Sequence, residues 1–121
     1  MIISDSKKIK DIQAEFSGLF PHLQLRFYKK AHAPKEGSSA KEEWATDLAL
    51  SEIRSVSSDG ELNISEDMTV SELEMAFENL FGLHVQVFRE STGGIWLQTT
   101  ATDDWTLGAQ NDRAKNLLLA R

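Results

Sequence analysis

The chain has 121 residues, a net charge of −6 and no cysteine. This length is typical of one domain with its own core, so we expect a single domain over residues 1–121. Because cysteine is absent, a disulfide scaffold, cysteine-ligated zinc, iron–sulfur clusters and thiol catalysis are excluded.

Charge and hydropathy also limit the partners that we expect. A nucleic-acid-binding domain usually has a pI above about 9, whereas the pI of this sequence is about 5.0, so we expect no nucleic-acid partner. The amino terminus lacks the apolar run of a signal peptide. No window approaches the roughly 18 apolar residues of a membrane span, and we therefore expect a cytoplasmic protein without a membrane partner.

Two segments of the chain repeat the same helical pattern. Apolar residues on one helix face predict helices over residues 6–20 and 69–81, which end at the breakers Pro21 and Gly82. The second set follows the first by 61 residues at every position (70 − 9 = 61). The first stripe consists of Ile9, Ile12, Phe16, Leu19 and Phe20, and the second of Val70, Leu73, Phe77, Leu80 and Phe81.

Each predicted helix precedes a strand with alternating apolar residues, over residues 23–30 and 83–90. The first copy has one extra residue, His22, before its strand. The triplet Ala-Thr-Asp then occurs in both halves, at 45–47 and 101–103. These matches predict an internal α–β duplication. The units span approximately residues 6–47 and 66–103.

The segment between the repeated helices has weaker signals. Residues 31–44 are loop-like, and residues 48–56 favour a short helix. Asp59 and Gly60 favour a turn into a strand over residues 61–65.

Turn and cap residues organise the carboxyl-terminal part. Thr69 and Glu72 have the spacing of a capping box, which predicts that the second helix begins there. A glycine pair at 93–94 predicts a hairpin into a strand over residues 95–100. Asp103 and Asp104 favour an amino-terminal cap. The helix that they would cap is a last one over residues 104–119.

Residues 68–121 contain a helix ending in Phe81-Gly82, an alternating strand, a hairpin, and Thr-Asp-Asp-Trp-Thr-Leu at 102–107 before the last helix. In this order of segments the chain resembles a group of small bacterial α/β proteins for which no activity is known. The resemblance implies the fold of this half, and it implies no activity, cofactor or catalytic residue.

Together these elements predict an α+β fold with two layers. We expect a sheet of about four strands, mixed or antiparallel, with three main helices mostly on one face. Strand alternation assigns one set of side chains to the face under the helices. This inner set is Leu23, Leu25, Phe27, Leu62, Ile64, Leu83, Val85, Val87, Ile95 and Leu97.

The opposite face of the sheet is the candidate binding surface. It combines aromatic residues, amides and one arginine, a composition typical of interface cores. The predicted partner-binding residues are Arg26, Tyr28, His84, Gln86, Phe88, Trp96 and Gln98, with Gln24 and Asn63 on the same face. In the alternative interpretation, the aromatic side chains pack against each other or under the loop over residues 31–44.

No combination of residues predicts catalysis. The glycine pair lacks the lysine and hydroxyl residue of a phosphate-binding loop, and no G-x-S-x-G segment is present. His22, His32 and His84 lack the spacing of metal ligands on a helix. We therefore expect no catalytic residue, no cofactor and no metal.

The sequence favours a non-enzymatic protein-interaction or assembly module that uses the outer sheet face, in a homodimer or with another protein. The alternative is a small-ligand-binding protein or an enzyme with a site near the loop over residues 31–44, because long loops often carry sites. The candidate residues for this alternative are His32, Lys35, Glu36 and Trp44, with Asp103 and Asp104.

Overall fold

The computed structural model describes residues 1–31, 36–55 and 57–120. His32 and Lys35 lie outside the described residues. The described part contains five strands and four α-helices, so the fold is α+β as predicted. Their bounds are β1 (Ile2–Ile3), α1 (Ile9–Leu19), β2 (Leu23–Tyr28), α2 (Leu50–Ile53), β3 (Gly60–Glu61), α3 (Val70–Phe81), β4 (His84–Glu90), β5 (Trp96–Gln98) and α4 (Leu107–Leu119).

The strands form two sheets rather than the predicted single sheet of about four strands. The main sheet has the order β2-β4-β5 and is antiparallel throughout. A second sheet consists of β1 and β3, which are also antiparallel. The predicted strand over residues 61–65 is therefore wrong in its extent and its place, because pairing starts at Gly60 and ends with the backbone hydrogen bonds between Leu62 and Met1, while Ile64 packs against the core.

Helices α1 and α3 pack on the same face of the main sheet. A single core cluster joins the stripes of α1 and α3 to the inner residues of β2 and β4. Phe16 and Phe77 are fully buried, as the repeated stripe predicts. Leu19 and Leu80 occupy equivalent positions near the ends of the two stripes. The prediction that they are buried is wrong, because they are 53% and 54% exposed.

Helix coverage of the sheet stops before β5. Ile95 and Leu97 belong to the predicted inner set, but they are 58% and 43% exposed. Helices α3 and α4 both pack on β4, whereas no helix of the described residues packs to a similar extent on β5. The prediction that these two residues lie in the core is therefore wrong, although the prediction of the sheet face on which they lie is correct.

The helices start in pairs. The backbone N–H groups of the first two residues of each helix donate hydrogen bonds to the segment that leads into a second helix. The acceptors are the carbonyls two and four residues before that second helix begins. These bonds satisfy N–H groups that have no partner within their own helix. The pairs are α1 with α2 and α3 with α4, and the eight N–O distances lie between 2.8 and 3.2 Å. The donors are Ile9, Lys10, Leu50, Ser51, Val70, Ser71, Leu107 and Gly108, and the acceptors are Leu48, Thr46, Lys7, Asp5, Trp105, Asp103, Met68 and Glu66.

Two of the predicted helix ends are confirmed and one is wrong. Thr69 caps α3, with its Oγ1 accepting from the Glu72 backbone and the Glu72 carboxylate accepting from the Thr69 backbone. Gly82 ends α3 in the left-handed region at φ 64°. Asp103 and Asp104 do not cap α4, because the cap is Thr106, whose Oγ1 accepts from the Ala109 backbone. No helix within the described residues is long and apolar enough to cross a membrane.

Candidate functional site

The predicted outer face exists as a set of rows across the main sheet. Tyr28 lies opposite His84, and Arg26 lies opposite Gln86 at the centre of the β2–β4 ladder. Phe88 pairs with Gln98 on β5. Eight of the nine outer-face residues thus lie in the paired strands of the main sheet, whereas Asn63 lies outside the described strands.

The centre of this face is not open in the folded chain. Tyr28, Gln86 and Phe88 are 3%, 0% and 5% exposed. The guanidinium of Arg26 lies 4.0 Å from the centroid of the Phe88 ring, and its Nε donates to Gln24 Oε1 at 2.8 Å. The two aromatic side chains therefore pack within the chain, which is the alternative arrangement that the sequence left open.

Residues 37–43, which belong to the predicted loop, form a covering segment over this face and are attached to β5. The Ser38 backbone donates to Gln98 Oε1 at 2.9 Å, and Gln98 Nε2 donates to the Ser38 carbonyl at 2.8 Å. Gly37 lies close to this amide, and an added Cβ there would be 2.7 Å from Gln98 Oε1, so the Gln98 side chain would have to shift. Farther along, Glu43 forms a single bridge to Tyr28 at the edge of β2.

Burial under this segment changes the chemistry of the tyrosine. Desolvation, and then the charge of Glu43, raises the pKa of Tyr28 to about 12. The phenol therefore stays protonated near neutral pH and has the character of a hydrogen-bond donor rather than a base. Two buried polar atoms nearby, Gln86 Oε1 and Ser38 Oγ, have no hydrogen-bond partner within the described ranges.

Two clefts flank Ala31 at the start of the predicted loop. One, of about 250 Å³, lies beside α3 and is lined by carboxylates and an imidazole. The other, of about 300 Å³, lies between Tyr28 and residues 37–42. The polar lining of the first consists of Ser71, Glu74, Glu78, Asn79, His84 and Asp103.

The residues of the ligand-site alternative are only partly brought together. Asp103 is buried and lines the first cleft, whereas Asp104 and Glu36 are exposed. Trp44 packs against the core, and its backbone donates to the Phe27 carbonyl at 2.9 Å. Among residues 1–31, 36–55 and 57–120, no group of three or more histidines and carboxylates has a geometry that could hold a metal ion.

Glu74 is a polar residue of the core that the sequence analysis missed. It is 8% exposed, and its Oε2 accepts from the Val87 backbone at 3.1 Å, where β5 no longer pairs with β4. Its place between Leu73 and Phe77 in the helix pattern gives no sign of this role. Burial here depends on where β5 ends, which is a tertiary feature.

The free edge of β5 is the second feature that the sequence analysis missed. In an antiparallel ladder, backbone groups of alternate residues point to opposite sides. The carbonyl of Ile95 and the amide of Thr99 bond to the β4 side, so the backbone groups of Trp96 and Gln98 point away from it. Neither backbone forms a hydrogen bond to any residue in the described ranges.

Arg89 lies on the helix-covered face of the sheet, opposite Leu97 in the ladder. Its Nη1 donates to Gln110 Oε1 at 2.7 Å, and its guanidinium lies 5.7 Å from the centroid of the Trp105 ring. Trp105 is 39% exposed. Leu97, Arg89 and Trp105 therefore form a mixed apolar and cationic patch beside the free edge.

In comparisons with known proteins, no family model, no curated protein and no solved structure matches the chain. The resemblance to the group of bacterial proteins stays a prediction.

Proposed function

We propose that the chain is a non-enzymatic protein-interaction module that binds an extended segment of a partner protein along the free edge of β5. One observation carries the proposal: among the described residues, the outward backbone groups of Trp96 and Gln98 have no hydrogen-bond partner, and they lie beside the half-exposed side chains of Ile95 and Leu97. An unpaired strand edge is a template for another strand. In strand addition, main-chain hydrogen bonds give affinity, and pockets for alternate side chains give specificity.

The two faces of β5 offer different contacts to such a segment. On the helix-covered face, Ile95 and Leu97 expose apolar surface that no described helix covers. On the outer face, Trp96 is half-buried and Gln98 holds the covering segment at Ser38. Of the predicted partner-binding residues, Trp96 and Gln98 are thus the two that border the free edge, and we propose them as contacts.

We also propose that the fold arose by duplication of one unit and that an approximate two-fold axis relates the copies. Where a two-fold axis passes through the molecule, equivalent residues of the two copies lie next to each other. Alignment by 61 residues makes Met1 equivalent to Leu62 (62 − 1 = 61), and their backbones exchange hydrogen bonds of 2.9 and 3.1 Å. After the extra residue His22 the offset is 60, which makes Arg26 equivalent to Gln86 (86 − 26 = 60), and these two are directly paired.

The paired helix starts support the same proposal. The exchange between α1 and α2 recurs between α3 and α4 with the same two acceptor positions. The offsets are 61 residues for the first helix of each pair (70 − 9) and 57 for the second (107 − 50). A shared pattern of eight backbone bonds is difficult to reach from two unrelated segments.

Selection from a random peptide-display library tests the interaction proposal. Wild-type protein should enrich peptides whose binding protects the amides of Trp96 and Gln98 from hydrogen exchange. Trp96→Pro removes the outward N–H, and the extended backbone of Ile95 (φ −84°, ψ 137°) accepts a following proline. Loss of one backbone hydrogen bond, about 0.5–1.5 kcal/mol, weakens binding by up to about tenfold.

Trp96→Ala is the matched control, because it removes the same ring and keeps the N–H. Its affinity for the selected peptides should exceed that of Trp96→Pro. Equal affinities of the two variants, or a library without enriched peptides, would overturn the proposal. A doubled mass of the wild-type protein in light scattering that Trp96→Pro abolishes would instead assign the edge to a second copy of the chain.

A further inference from the structure

The Arg89 side chain is held in a fixed position on the patch beside β5. Gln110, which accepts its hydrogen bond, is fully buried. The Gln110 amide donates to both the carbonyl and the Oγ1 of Thr102 at 2.8 Å. These two bonds fix which end of the amide faces the guanidinium, so the Arg89 position is organised before any ligand arrives.

Arg89 nevertheless has no acidic partner in the part of the chain that the structure describes. Within residues 1–31, 36–55 and 57–120, no carboxylate lies within 4.0 Å of its guanidinium. Carboxylates are plentiful in this chain, with 19 Asp and Glu against 13 Lys and Arg. Arg54 of the first half, whose side chain is buried, bonds to both Asp5 and Asp59.

The surroundings of Arg89 disfavour its charge. Burial, and then the charge of Arg113, lowers the pKa of Arg89. A guanidinium carries five N–H donors, and the neutral Gln110 oxygen takes up one of them. A carboxylate at this position would offset the repulsion from Arg113 and accept a charge-assisted bond.

We infer that the extended segment bound at β5 carries an Asp or Glu side chain that pairs with Arg89, while its neighbouring aliphatic side chains cover Ile95 and Leu97. The partner is therefore an acidic, alternating strand of another protein. This inference rests on the proposed strand addition, because it names the residue type that the added strand presents on the helix-covered face.

Charge complementarity favours another protein over a second copy. Antiparallel pairing of β5 with its own copy would leave the helix-covered faces on the same side of one continuous sheet. Each copy would then bring Arg89 and Arg113 to that side and no carboxylate from its own β5, whose residues are Trp96, Leu97 and Gln98. The added charges would be of like sign.

The test uses peptides enriched from the random display library on the full chain. Asp and Glu should be enriched at one position of the selected peptides, two residues from an aliphatic position. In a synthetic copy of the best peptide, changing that Glu to Gln should weaken binding to wild type by about tenfold. The same change should have little effect on Arg89→Leu, and full effect on Lys10→Leu, a control that removes an exposed cation of α1.

The outcomes separate this inference from the proposed function. Peptides that protect the β5 edge but carry no excess of acidic residues, or a Glu-to-Gln penalty equal in wild type and Arg89→Leu, would overturn the inference and leave strand addition standing. A library without edge-binding peptides would overturn both. If Arg89→Leu fails to fold, the affinity lost by wild type on the Glu-to-Gln change is measured at low and at high salt instead. An ion pair predicts that salt reduces this loss, so a loss that salt does not reduce would contradict the inference.

Discussion

The two halves of the molecule, residues 1–55 and 57–120, share a scaffold and differ at the sheet edge. In the first half, one bridge between Tyr28 and Glu43 stands where the second half has the β4–β5 ladder. The Trp44 amide bonds to the Phe27 carbonyl just as the Thr99 amide bonds to that of Val87. The first half thus has a single residue pair at the place where the second half has a second strand.

The two edges also differ in chemistry. Beside the bridge of the first half lie the charged residues Lys30 and Glu42, whose side chains are 3.9 Å apart. Charged side chains are a common device that prevents further pairing at a sheet edge. The second half presents Ile95 and Leu97 at its edge instead. The binding surface that we propose therefore lies at the edge on which the two halves differ.

The buried phenylalanines of the two halves should give the greatest losses of stability. Phe16→Ala and Phe77→Ala should each lower the free energy of unfolding by about 3–5 kcal/mol, and by similar amounts, because both rings are fully buried at equivalent positions. Urea unfolding measures both values. Leu19→Ala and Leu80→Ala, on the exposed ends of the same stripes, should change the free energy by no more than about 0.5 kcal/mol. A tolerant phenylalanine in either half would contradict the equivalence.

The links between the halves give the next effect. Arg54 donates to the Phe81 carbonyl at 2.9 Å and to Asp5, with its side chain 2% exposed. In the reciprocal link, Asn111 Oδ1 accepts from the His22 backbone at 2.9 Å. Arg54→Met should cost about 1.5–3 kcal/mol, since it removes bonds to a charged group.

Asn111→Ala should cost about 0.5–1.5 kcal/mol in the same urea assay, because it removes one neutral hydrogen bond. Equal costs for this change and Arg54→Met would show that the charged link adds nothing to the neutral one.

How much of this could be predicted depends on the range of the signal. The helices and the alternation of β2 and β4 have local periods, and a capping box is read within four residues, as at Thr69. The strand β1 has two residues, too few for any period. The exposure of Leu97 depends on where α4 packs, and the burial of Tyr28 depends on a distant covering segment, so neither follows from its own strand.

Equivalent polar positions of α1 and α3 give a third contrast. The sequence gives Gln13 and Glu74 the same helix face, and we would expect both to tolerate alanine. In the structure, Glu74→Ala leaves the buried Val87 amide without its partner and should cost about 1–3 kcal/mol. Gln13 donates to the Leu25 carbonyl at 2.8 Å in a half-buried site.

Gln13→Ala should therefore cost about 0.5–1 kcal/mol, since water can replace the lost donor. Thermal or urea unfolding of both variants measures the difference. A Glu74→Ala protein as stable as wild type would contradict the assigned role of this carboxylate in the core.

The amino-terminal caps of α1 and α3 also differ between the two halves. Thr69 caps α3 with its side chain, whereas Lys8, at the equivalent position of α1, has no side-chain cap bond. The two backbones are nearly alike (φ −75°, ψ 158° and φ −88°, ψ 156°). Thr69→Ala should cost about 1 kcal/mol, and Lys8→Thr should gain about 0.5–1 kcal/mol. Unfolding midpoints measure both, and a destabilised Lys8→Thr would contradict the equivalence of the caps.

The smallest expected effect is on pH dependence, and it also distinguishes the two links. Hydrogen bonds from Ser57 and then Arg54 lower the pKa of Asp5 below its ordinary value of 3.8. A carboxyl whose pKa is lower in the folded state adds stability above the unfolded pKa and loses it as the pH falls through the folded pKa. Stability should therefore decline below about pH 4, and Asp5→Asn should reduce that decline. Asn111→Ala should leave the slope unchanged, because the reciprocal link carries no titrating group. Urea midpoints across this range that run parallel in wild type and Asp5→Asn would contradict the assignment of the charged link to Asp5.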